Sequence, residues 1–286
     1  MLPASSSPNW GRGGKEHENS GDTPEPPAEG ASPSALPLSR GDGIRAIAFD
    51  CYGTLIDFTD SRFIEAYHEI ARNQRLPCDG KTLWQKYMAV WRRLSAWGKA
   101  SETPRDWSMQ PPSGETVAFR PYSDEWTEYF QMCFDELGVQ GNPFAAYEHV
   151  RDRLATAEPF AETASVLTAL RSRYRVGILS NADDDFLFAC LERNGLQDEF
   201  EVIVTSEGAG VYKPHEAIFR RFVEAMGAEM HEVLYVGDSQ SADVLGARNA
   251  GMPVAWVNRD GAPLREGVPR PDHEIASLTG LLQFLL

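Results

Sequence analysis

The chain after residue 158 alternates short apolar runs with segments of helical length, and this alternation limits the possible folds more than any other feature. Apolar runs typical of buried strands lie at 44–49, 176–179, 202–204, 233–236 and 254–257. A segment of helical length precedes each run after the first, at 163–173, 186–194, 215–226 and 242–250. Strands separated by such helices imply right-handed crossovers, so the sequence predicts an α/β fold with a doubly wound parallel sheet.

A segment of a different kind separates the first apolar run from the others. Between residues 61 and 157 we find no strand pattern, and apolar residues recur at the i, i+3, i+4, i+7 spacing of a helix. These residues are Phe63, Ala66, Tyr67 and Ile70, then Leu83, Tyr87, Val90, Trp91 and Leu94, then Phe130, Phe134 and Leu137. We therefore predict an all-helical insert, divided by a Pro/Gly-rich break at 110–114, above the carboxyl edge of the sheet. The core would comprise 43–60 and 158–286.

The first 42 residues differ from the rest, because Ser, Pro, Gly and acidic residues dominate them. Such a segment offers little apolar surface to offset the loss of chain entropy on folding. We expect residues 1–42 to form a disordered tail that contributes nothing to folding or catalysis.

Charge and cysteine content exclude several classes of function. The net charge of -15 argues against nucleic acid or an anionic membrane surface as the main partner. The four cysteines form no CxxC pair, so the sequence signals neither a zinc site nor a disulfide framework. We find no membrane-spanning run and no secretory signal pattern, and we expect a cytoplasmic protein.

Polar residues follow four of the predicted strands, where parallel strands bring their carboxyl ends to one edge. They are Asp50-Cys51-Tyr52-Gly53-Thr54, then Ser180-Asn181, then Tyr212-Lys213-Pro214, then Gly237-Asp238-Ser239 with Asp243. Each motif alone has an ordinary structural explanation; Asp238-Ser239, for example, suits a helix N-cap. The ordered set at successive strand ends is far more specific.

This ordered set resembles the haloacid dehalogenase-like (HAD) hydrolase superfamily over roughly residues 44–286, and the helical insert resembles that superfamily's cap. The resemblance implies that Asp50 is an aspartate nucleophile and that Ser180 binds the transferred group. It also implies that Lys213 neutralises charge and that Asp238 and Asp243 hold Mg²⁺.

The chemistry of phosphoryl transfer gives each residue type a reason. A carboxylate that attacks a phosphorus dianion needs cations on the phosphoryl oxygens, and Mg²⁺ prefers hard oxygen ligands. A lysine beside Asp50 favours the ionised, nucleophilic carboxylate. We expect Thr54, Ser180 and Asn181 to bind the substrate. The expected ligands of the metal are Asp50, Asp238, Asp243 and the Tyr52 carbonyl.

Two branches of the superfamily remain open. Asp-x-Tyr-Gly-Thr at 50–54, Tyr212-Lys213-Pro214 and the run at 257–261 resemble the metal-independent 2-haloacid dehalogenases. Those enzymes carry Ser-Ser-Asn-x-x-Asp at the segment where this chain has Gly237-Asp238-Ser239 with Asp243. They also carry an arginine in the cap, after a Leu-Trp pair, which binds the substrate and the halide. Here Gln85 follows Leu83-Trp84, with Arg92 or Arg93 as a conceivable substitute.

We favour a Mg²⁺-dependent phosphatase on a small phosphorylated metabolite, because an extra carboxylate beside a nucleophilic one calls for a cation. The alternatives are a 2-haloacid dehalogenase and, remotely, a catalytically silent binding protein of the same fold. Phosphatases of this kind usually carry an acid where this chain has Tyr52, so substrates with good leaving groups are favoured. The expected partner is a small anionic molecule, and a homodimer stays open. The insert contains five tryptophans, at 84, 91, 97, 107 and 126. We interpret them as the core of the helical cap, in preference to the lining of an apolar substrate pocket.

Overall fold

The computed structural model describes residues 43–94 and 119–286, and a six-stranded parallel sheet lies at its centre. In chain order its strands are β1 (Ala46–Phe49), β2 (Arg175–Ser180), β3 (Val202–Thr205), β4 (Val233–Gly237), β5 (Val254–Val257) and β6 (His273–Ile275). Their order in the sheet is β3-β2-β1-β4-β5-β6. The order therefore reverses at β1, with β2 on one side and β4 on the other.

Helices cover the sheet and form the insert after β1. The insert contains α1 (Asp60–Asn73), α2 (Gly80–Leu94), α3 (Tyr122–Leu137) and α4 (Pro143–Ala155). The remaining helices are α5 (Thr163–Arg171), α6 (Asp184–Arg193), α7 (Ser206–Ala209), α8 (Glu216–Met226), α9 (Gly246–Asn249) and α10 (Leu282–Leu285). We call α1–α4 the cap helices.

The alternation of side chains along β1 explains why helices lie on both faces of the sheet. Ile47 and Phe49 point to the face that carries α5, α6 and the cap helices. Ala46 and Ala48 point to the opposite face, where small side chains leave room for Phe219 and the rest of α8. All four β1 side chains are fully buried, as a central parallel strand requires.

The structure confirms the doubly wound α/β fold, with a helical insert after the first strand. Two local features differ from the prediction. Strand β6 was missed because it has only three residues and begins with two exposed charged or polar ones, His273 and Glu274. The helix predicted at 242–250 begins instead as a π-helical turn, Gln240–Leu245, before α9.

The chain leaves the core and returns to it at neighbouring points. Ile56 and Pro159 form an antiparallel bridge, and the Asp57 amide donates to the Glu158 carbonyl at 2.8 Å. The two connections therefore run side by side beneath the cap helices. The cap boundaries at 61 and 157 stay a prediction, while the break at 110–114, Trp97, Trp107 and the 1–42 tail lie outside the described residues.

Helix length and hydropathy bear on membrane insertion. Within 43–94 and 119–286, we find no helix that is both long enough and apolar enough to span a bilayer. All four cysteines are free thiols in this structure.

Candidate active site

The predicted site residues meet at the carboxyl edge of the sheet, beside the point where the strand order reverses. Asp50 directly follows β1, and Ser180 ends the neighbouring strand β2. Asp238 follows β4, the neighbour of β1 on its other side. Ligand sites in open α/β sheets form at the carboxyl ends of the strands, at the point where the strand order reverses.

Lys213 is the centre of this arrangement. Its ammonium donates to Asp50 Oδ1 at 2.8 Å, to Asp243 Oδ1 at 2.7 Å and to the Tyr235 hydroxyl at 2.7 Å. Burial by itself lowers the pKa of Lys213, but the charges of Asp243 and Asp50 oppose it, and the net direction is upward. The lysine is therefore charged at neutral pH and joins two acidic loops.

The nucleophile candidate has one occupied oxygen and one free oxygen. Asp50 Oδ1 accepts from Lys213 and also from the Ser180 hydroxyl, at 2.8 Å each. Among the described residues, no donor contacts Asp50 Oδ2. The arrangement orients the carboxylate through Oδ1 and leaves Oδ2 available to attack a substrate or to bind a cation.

Asp238 is the most exposed of the three acids. Its Oδ1 accepts from the Thr54 hydroxyl at 3.1 Å, and its side chain is only partly buried. The helix N-cap role belongs to Ser239, whose hydroxyl accepts from the Ala242 amide at 3.1 Å. The ordinary structural explanation of Asp238 therefore falls away, because its neighbour caps the turn.

Gly53 makes the close approach of Asp238 possible. Its φ of 86° lies in the left-handed region, and a Cβ there would sit 2.6 Å from Asp238 Oδ2. A side chain at this position would meet both a strained backbone and a steric clash. The turn after the nucleophile thus needs glycine for two independent reasons.

Asp243 is the most enclosed of the three acids. It is fully buried, its Oδ1 accepts from Lys213 and Tyr235, and its Oδ2 accepts from the Ser239 amide at 2.8 Å. Both oxygens are therefore occupied within the protein. Its predicted role as a metal ligand stays a prediction.

Three carboxylates lie close together at this site, and one lysine contacts two of them, Asp50 and Asp243. Each of Asp50, Asp238 and Asp243 offers an oxygen, and these oxygens lie within 4.8 Å of one another. Burial raises the pKa of Asp238 well above its ordinary value, and the charges of Asp50 and Asp243 raise it further. Burial also raises the pKa of Asp243, against the opposing charge of Lys213. The site has an excess of negative charge that a divalent cation would neutralise.

Asn181 acts on the lysine loop in this structure. Its side-chain oxygen accepts from the Lys213 amide at 2.7 Å, and its side-chain nitrogen donates to the Lys213 carbonyl at 3.1 Å. Both ends of the amide thus hold the backbone of Lys213. The predicted contact between Asn181 and substrate stays a prediction.

The Tyr52 side chain points away from the carboxylates. Its hydroxyl donates to the Phe186 carbonyl at 3.2 Å and lies 3.4 Å from the Leu154 carbonyl, while its ring packs against Phe58. Burial raises the pKa of the phenol well above its ordinary value. The phenol is therefore not placed to protonate a leaving group, and the Tyr52 carbonyl stays a predicted metal ligand.

Arg259 supports the nucleophile turn, a role that the sequence analysis did not assign. Its guanidinium donates to the Thr54 carbonyl at 3.0 Å and to Glu162 at 2.7 Å, and lies 3.5 Å from the centre of the Phe160 ring. Arg259 thus joins the nucleophile turn to the segment by which the chain returns from the cap helices. The sequence signals were its position after β5 and its place in the run at 257–261 that resembles the dehalogenases.

The aromatic residues of the cap helices pack mainly against one another. Trp84 stacks on Phe63 at 5.2 Å and contacts Tyr67 edge to face at 5.1 Å. A cavity of about 160 Å³ remains between them, with Trp91 and Trp126 in its lining. This packing agrees with the interpretation of Trp84, Trp91 and Trp126 as helical core.

A buried acid joins the core to α3. Asp183, only 4% exposed, accepts from the Tyr122 amide at 2.7 Å through Oδ2, and Oδ1 has no hydrogen-bond partner among the described residues. Burial raises the pKa of Asp183 to about 7, and the nearby charges of Glu207 and Asp185 raise it further against the effect of the Tyr122 bond. The folded protein therefore favours the protonated acid at mildly acidic pH.

Asp183→Asn should change how stability depends on pH. The raised pKa means that the stabilising protonated form is complete below about pH 4 and is lost as pH rises through about 7. Asparagine cannot ionise, so the unfolding free energy of the variant relative to wild type should rise across this window by roughly 2–4 kcal/mol. Urea unfolding from pH 4 to 8 measures it. Asp260→Asn, at an exposed acid after β5, is the control, and identical pH profiles for the two variants would contradict this assignment.

Comparison with known proteins agrees with the geometry of the site. Residues 44–251 match the family model for haloacid dehalogenase-like hydrolases. The pyrimidine 5'-nucleotidase YjjG of Escherichia coli (strain K12) is 37% identical over 158 residues, which cover 54% of this chain and 69% of that protein. The (S)-2-haloacid dehalogenase of Pseudomonas sp. (strain YL) is 26% identical over 249 residues, covering 85% and 94%.

A solved structure shares the fold along nearly its whole length. The L-2-haloacid dehalogenase RSc1362 superposes with a TM-score of 0.68 at 24% identity, covering 85% of this chain and 98% of the other. The relatives thus include a nucleotidase and haloacid dehalogenases. The sheet order, the motifs at its carboxyl edge and the family match together show that this chain belongs to the haloacid dehalogenase-like hydrolase family.

Proposed function

We propose that this protein is a Mg²⁺-dependent phosphatase that uses Asp50 as its nucleophile and acts on a small phosphorylated metabolite. One observation carries the proposal: Asp50, Asp238 and Asp243 each place an oxygen within 4.8 Å of the others, and the single lysine ammonium among them contacts only Asp50 and Asp243. A site that hydrolyses a neutral carbon–halogen bond has no use for this excess of negative charge. A site that also receives a divalent cation does.

The donor set fits Mg²⁺. Asp50 Oδ2 and Asp238 offer hard, accessible oxygens, with the Tyr52 carbonyl and Asp243 as the further predicted ligands. When bound, the ion would supply positive charge to the oxygens of a phosphoryl group.

The protein's own residues supply the other parts of the reaction. Lys213 and Ser180 both donate to Asp50 Oδ1, and these two bonds fix the orientation of the carboxylate. Attack by Asp50 on phosphorus forms an acyl phosphate and breaks the ester bond, and the leaving alkoxide takes its proton from water. A second water then cleaves the acyl phosphate, which releases inorganic phosphate and restores the Asp50 carboxylate. Tyr52 donates to a backbone carbonyl, so we expect substrates whose leaving groups need little help from an acid.

Dehalogenation is the second candidate, favoured by the dehalogenase relatives and by tyrosine at position 52. A 2-haloacid carries a carboxylate that calls for a cation in the pocket. Arg93 instead pairs with Glu136 at 2.5 Å on the exposed side of α2, and Arg92 is exposed. Lys213 already donates to three acceptors, so neither arginine nor the lysine is placed to receive a haloacid carboxylate.

A substrate screen with metal control tests the proposal. Phosphate esters, including the pyrimidine nucleotides suggested by the nucleotidase relative, are compared with 2-chloropropionate, with Mg²⁺ and with EDTA. We expect phosphate release that EDTA abolishes and Mg²⁺ restores, because a phosphoryl dianion cannot approach Asp50 without a cation. Asp238→Ala should lose this turnover and bind Mg²⁺ more weakly.

Asp57→Ala is the matched control for Asp238→Ala. Asp57 lies near the same turn but pairs with Arg62 at the surface, so its loss should leave metal binding and turnover unchanged. Metal-independent halide release from 2-chloropropionate, without phosphate release from any ester, would refute the phosphatase and establish the dehalogenase.

A further inference from the structure

Tyr235 lies on β4, beneath the candidate nucleophile, and its side chain is fully buried. Its hydroxyl accepts a hydrogen bond from Lys213 Nζ at 2.7 Å. The hydroxyl also lies 2.9 Å from the Leu179 carbonyl and 2.9 Å from Asp243 Oδ1, and its single proton can go to either. None of the motifs that relate this chain to its family assigns a role to this residue.

Counting donors shows what the Tyr235 hydroxyl does for Lys213. An ammonium group has three N–H donors, and the structure provides three acceptors: Asp50 Oδ1, Asp243 Oδ1 and the Tyr235 oxygen. The Lys213 side chain is only 2% exposed, so water has little access to replace a missing acceptor. Three acceptors therefore fix the ammonium, and one of them, the Tyr235 hydroxyl, is uncharged.

The neutral acceptor has a specific consequence for the nucleophile. The carboxylates of Asp50 and Asp243 attract the ammonium from opposite sides. The hydrogen bond to the Tyr235 hydroxyl holds it between them. Without the hydroxyl, one N–H would be left buried without a partner, which is costly for a charged group. The ammonium would then shift, and its contact with Asp50 Oδ1 would change.

We propose that Tyr235 is a positioning residue for hydrolysis, whose hydroxyl holds the Lys213 ammonium at the distance from Asp50 that turnover requires. Tyr235 touches neither substrate nor metal and acts through Lys213 alone. The proposal goes beyond the phosphatase assignment, because it depends only on Asp50 and Lys213 working together. It holds for whichever ester or haloacid the protein hydrolyses.

Tyr235→Phe removes the hydroxyl and keeps the ring. We expect kcat to fall roughly 10- to 100-fold, where each tenfold corresponds to about 1.4 kcal/mol, while KM changes less than about twofold. Mg²⁺ affinity, measured by calorimetry, should also stay within about twofold of wild type. Tyr174→Phe is the matched control, because that buried hydroxyl donates only to the Leu285 carbonyl at 3.0 Å. A kcat for Tyr235→Phe equal to that of the control would overturn the proposal.

A double-mutant cycle with Lys213→Met tests whether Tyr235 acts through the lysine. In the Lys213→Met background, Tyr235→Phe should change kcat and melting temperature far less than it does in wild type. Equal losses in both backgrounds would overturn the proposal. If Lys213→Met has no measurable turnover, the unfolding cycle decides alone.

Folding failure also gives a decisive outcome. Should Tyr235→Phe alone not fold, recovery of folding in the double variant would support the proposal, because the unpartnered donor is then gone. An unfolded double variant would overturn it. If the substrate screen finds halide release instead of phosphate release, the same cycle is run on halide release, so the two proposals fail separately.

Discussion

Asp50→Asn should reduce turnover by roughly a thousandfold or more while the protein stays folded. The asparagine oxygen can take the place of Oδ1 and accept from Lys213 and Ser180, so the local hydrogen bonds survive. The amide nitrogen then replaces Oδ2, the oxygen that has no donor among the described residues. A neutral amide cannot form the covalent acyl intermediate, so chemistry stops at its first step.

Rapid quenching followed by mass spectrometry measures this directly. Wild type mixed with a productive substrate should carry a covalent adduct on the peptide that contains Asp50, and the variant should carry none. Asp57→Asn makes the same chemical change a few residues later, at a surface ion pair, and should keep both adduct and turnover. Steady-state activity of Asp50→Asn near that of wild type would remove Asp50 from the mechanism.

Lys213→Met is the second substitution for which we expect a large effect, on both stability and activity. The buried ammonium separates Asp50 from Asp243, and its loss leaves two buried carboxylates without their common partner. Removing one member of a buried ion pair typically destabilises a protein by about 3–5 kcal/mol. Turnover should fall by at least about a hundredfold, because the position of the Asp50 carboxylate is then no longer fixed.

Urea unfolding in EDTA and steady-state kinetics in Mg²⁺ separate these two effects. Lys86→Met is the control, because Lys86 forms an ion pair with Glu136 at the surface, where such pairs contribute about 0–1 kcal/mol. We expect that variant to resemble wild type in both measurements. Similar stability for Lys213→Met and Lys86→Met would show that the carboxylates do not need the lysine for folding.

The ordered polar motifs were readable from sequence because each follows a strand whose apolar pattern is unmistakable. Asp50, Ser180 and Asp238 follow β1, β2 and β4, and the parallel arrangement brings such positions to one edge. The lysine loop has no such strand directly before it. Its position at this edge was predicted because it follows the third strand, and although α7 lies between β3 and the loop, the structure brings Lys213 to within 2.8 Å of Asp50.

The residues that sequence reasoning missed act through contacts between distant parts of the chain. Arg259 binds a carbonyl 205 positions earlier, and Tyr235 reads in sequence as one more apolar strand residue. The direction of the Tyr52 side chain was likewise unpredictable, since it depends on α6 offering the Phe186 carbonyl. Such contacts follow from the packing of completed elements, which periodicity and motif spacing do not describe.

The side-by-side connections at Ile56 and Pro159 divide the chain into a part that can vary and a part that cannot. No residue of α1–α4 belongs to the six-stranded sheet. The points where the chain leaves the core and returns to it, Ile56 and Pro159, are already joined by a β-bridge. An insert of another length or shape joined at these points would leave the register of every strand unchanged. Selectivity for a new substrate can therefore arise by exchanging α1–α4, while Asp50, Lys213 and Asp238 keep their positions.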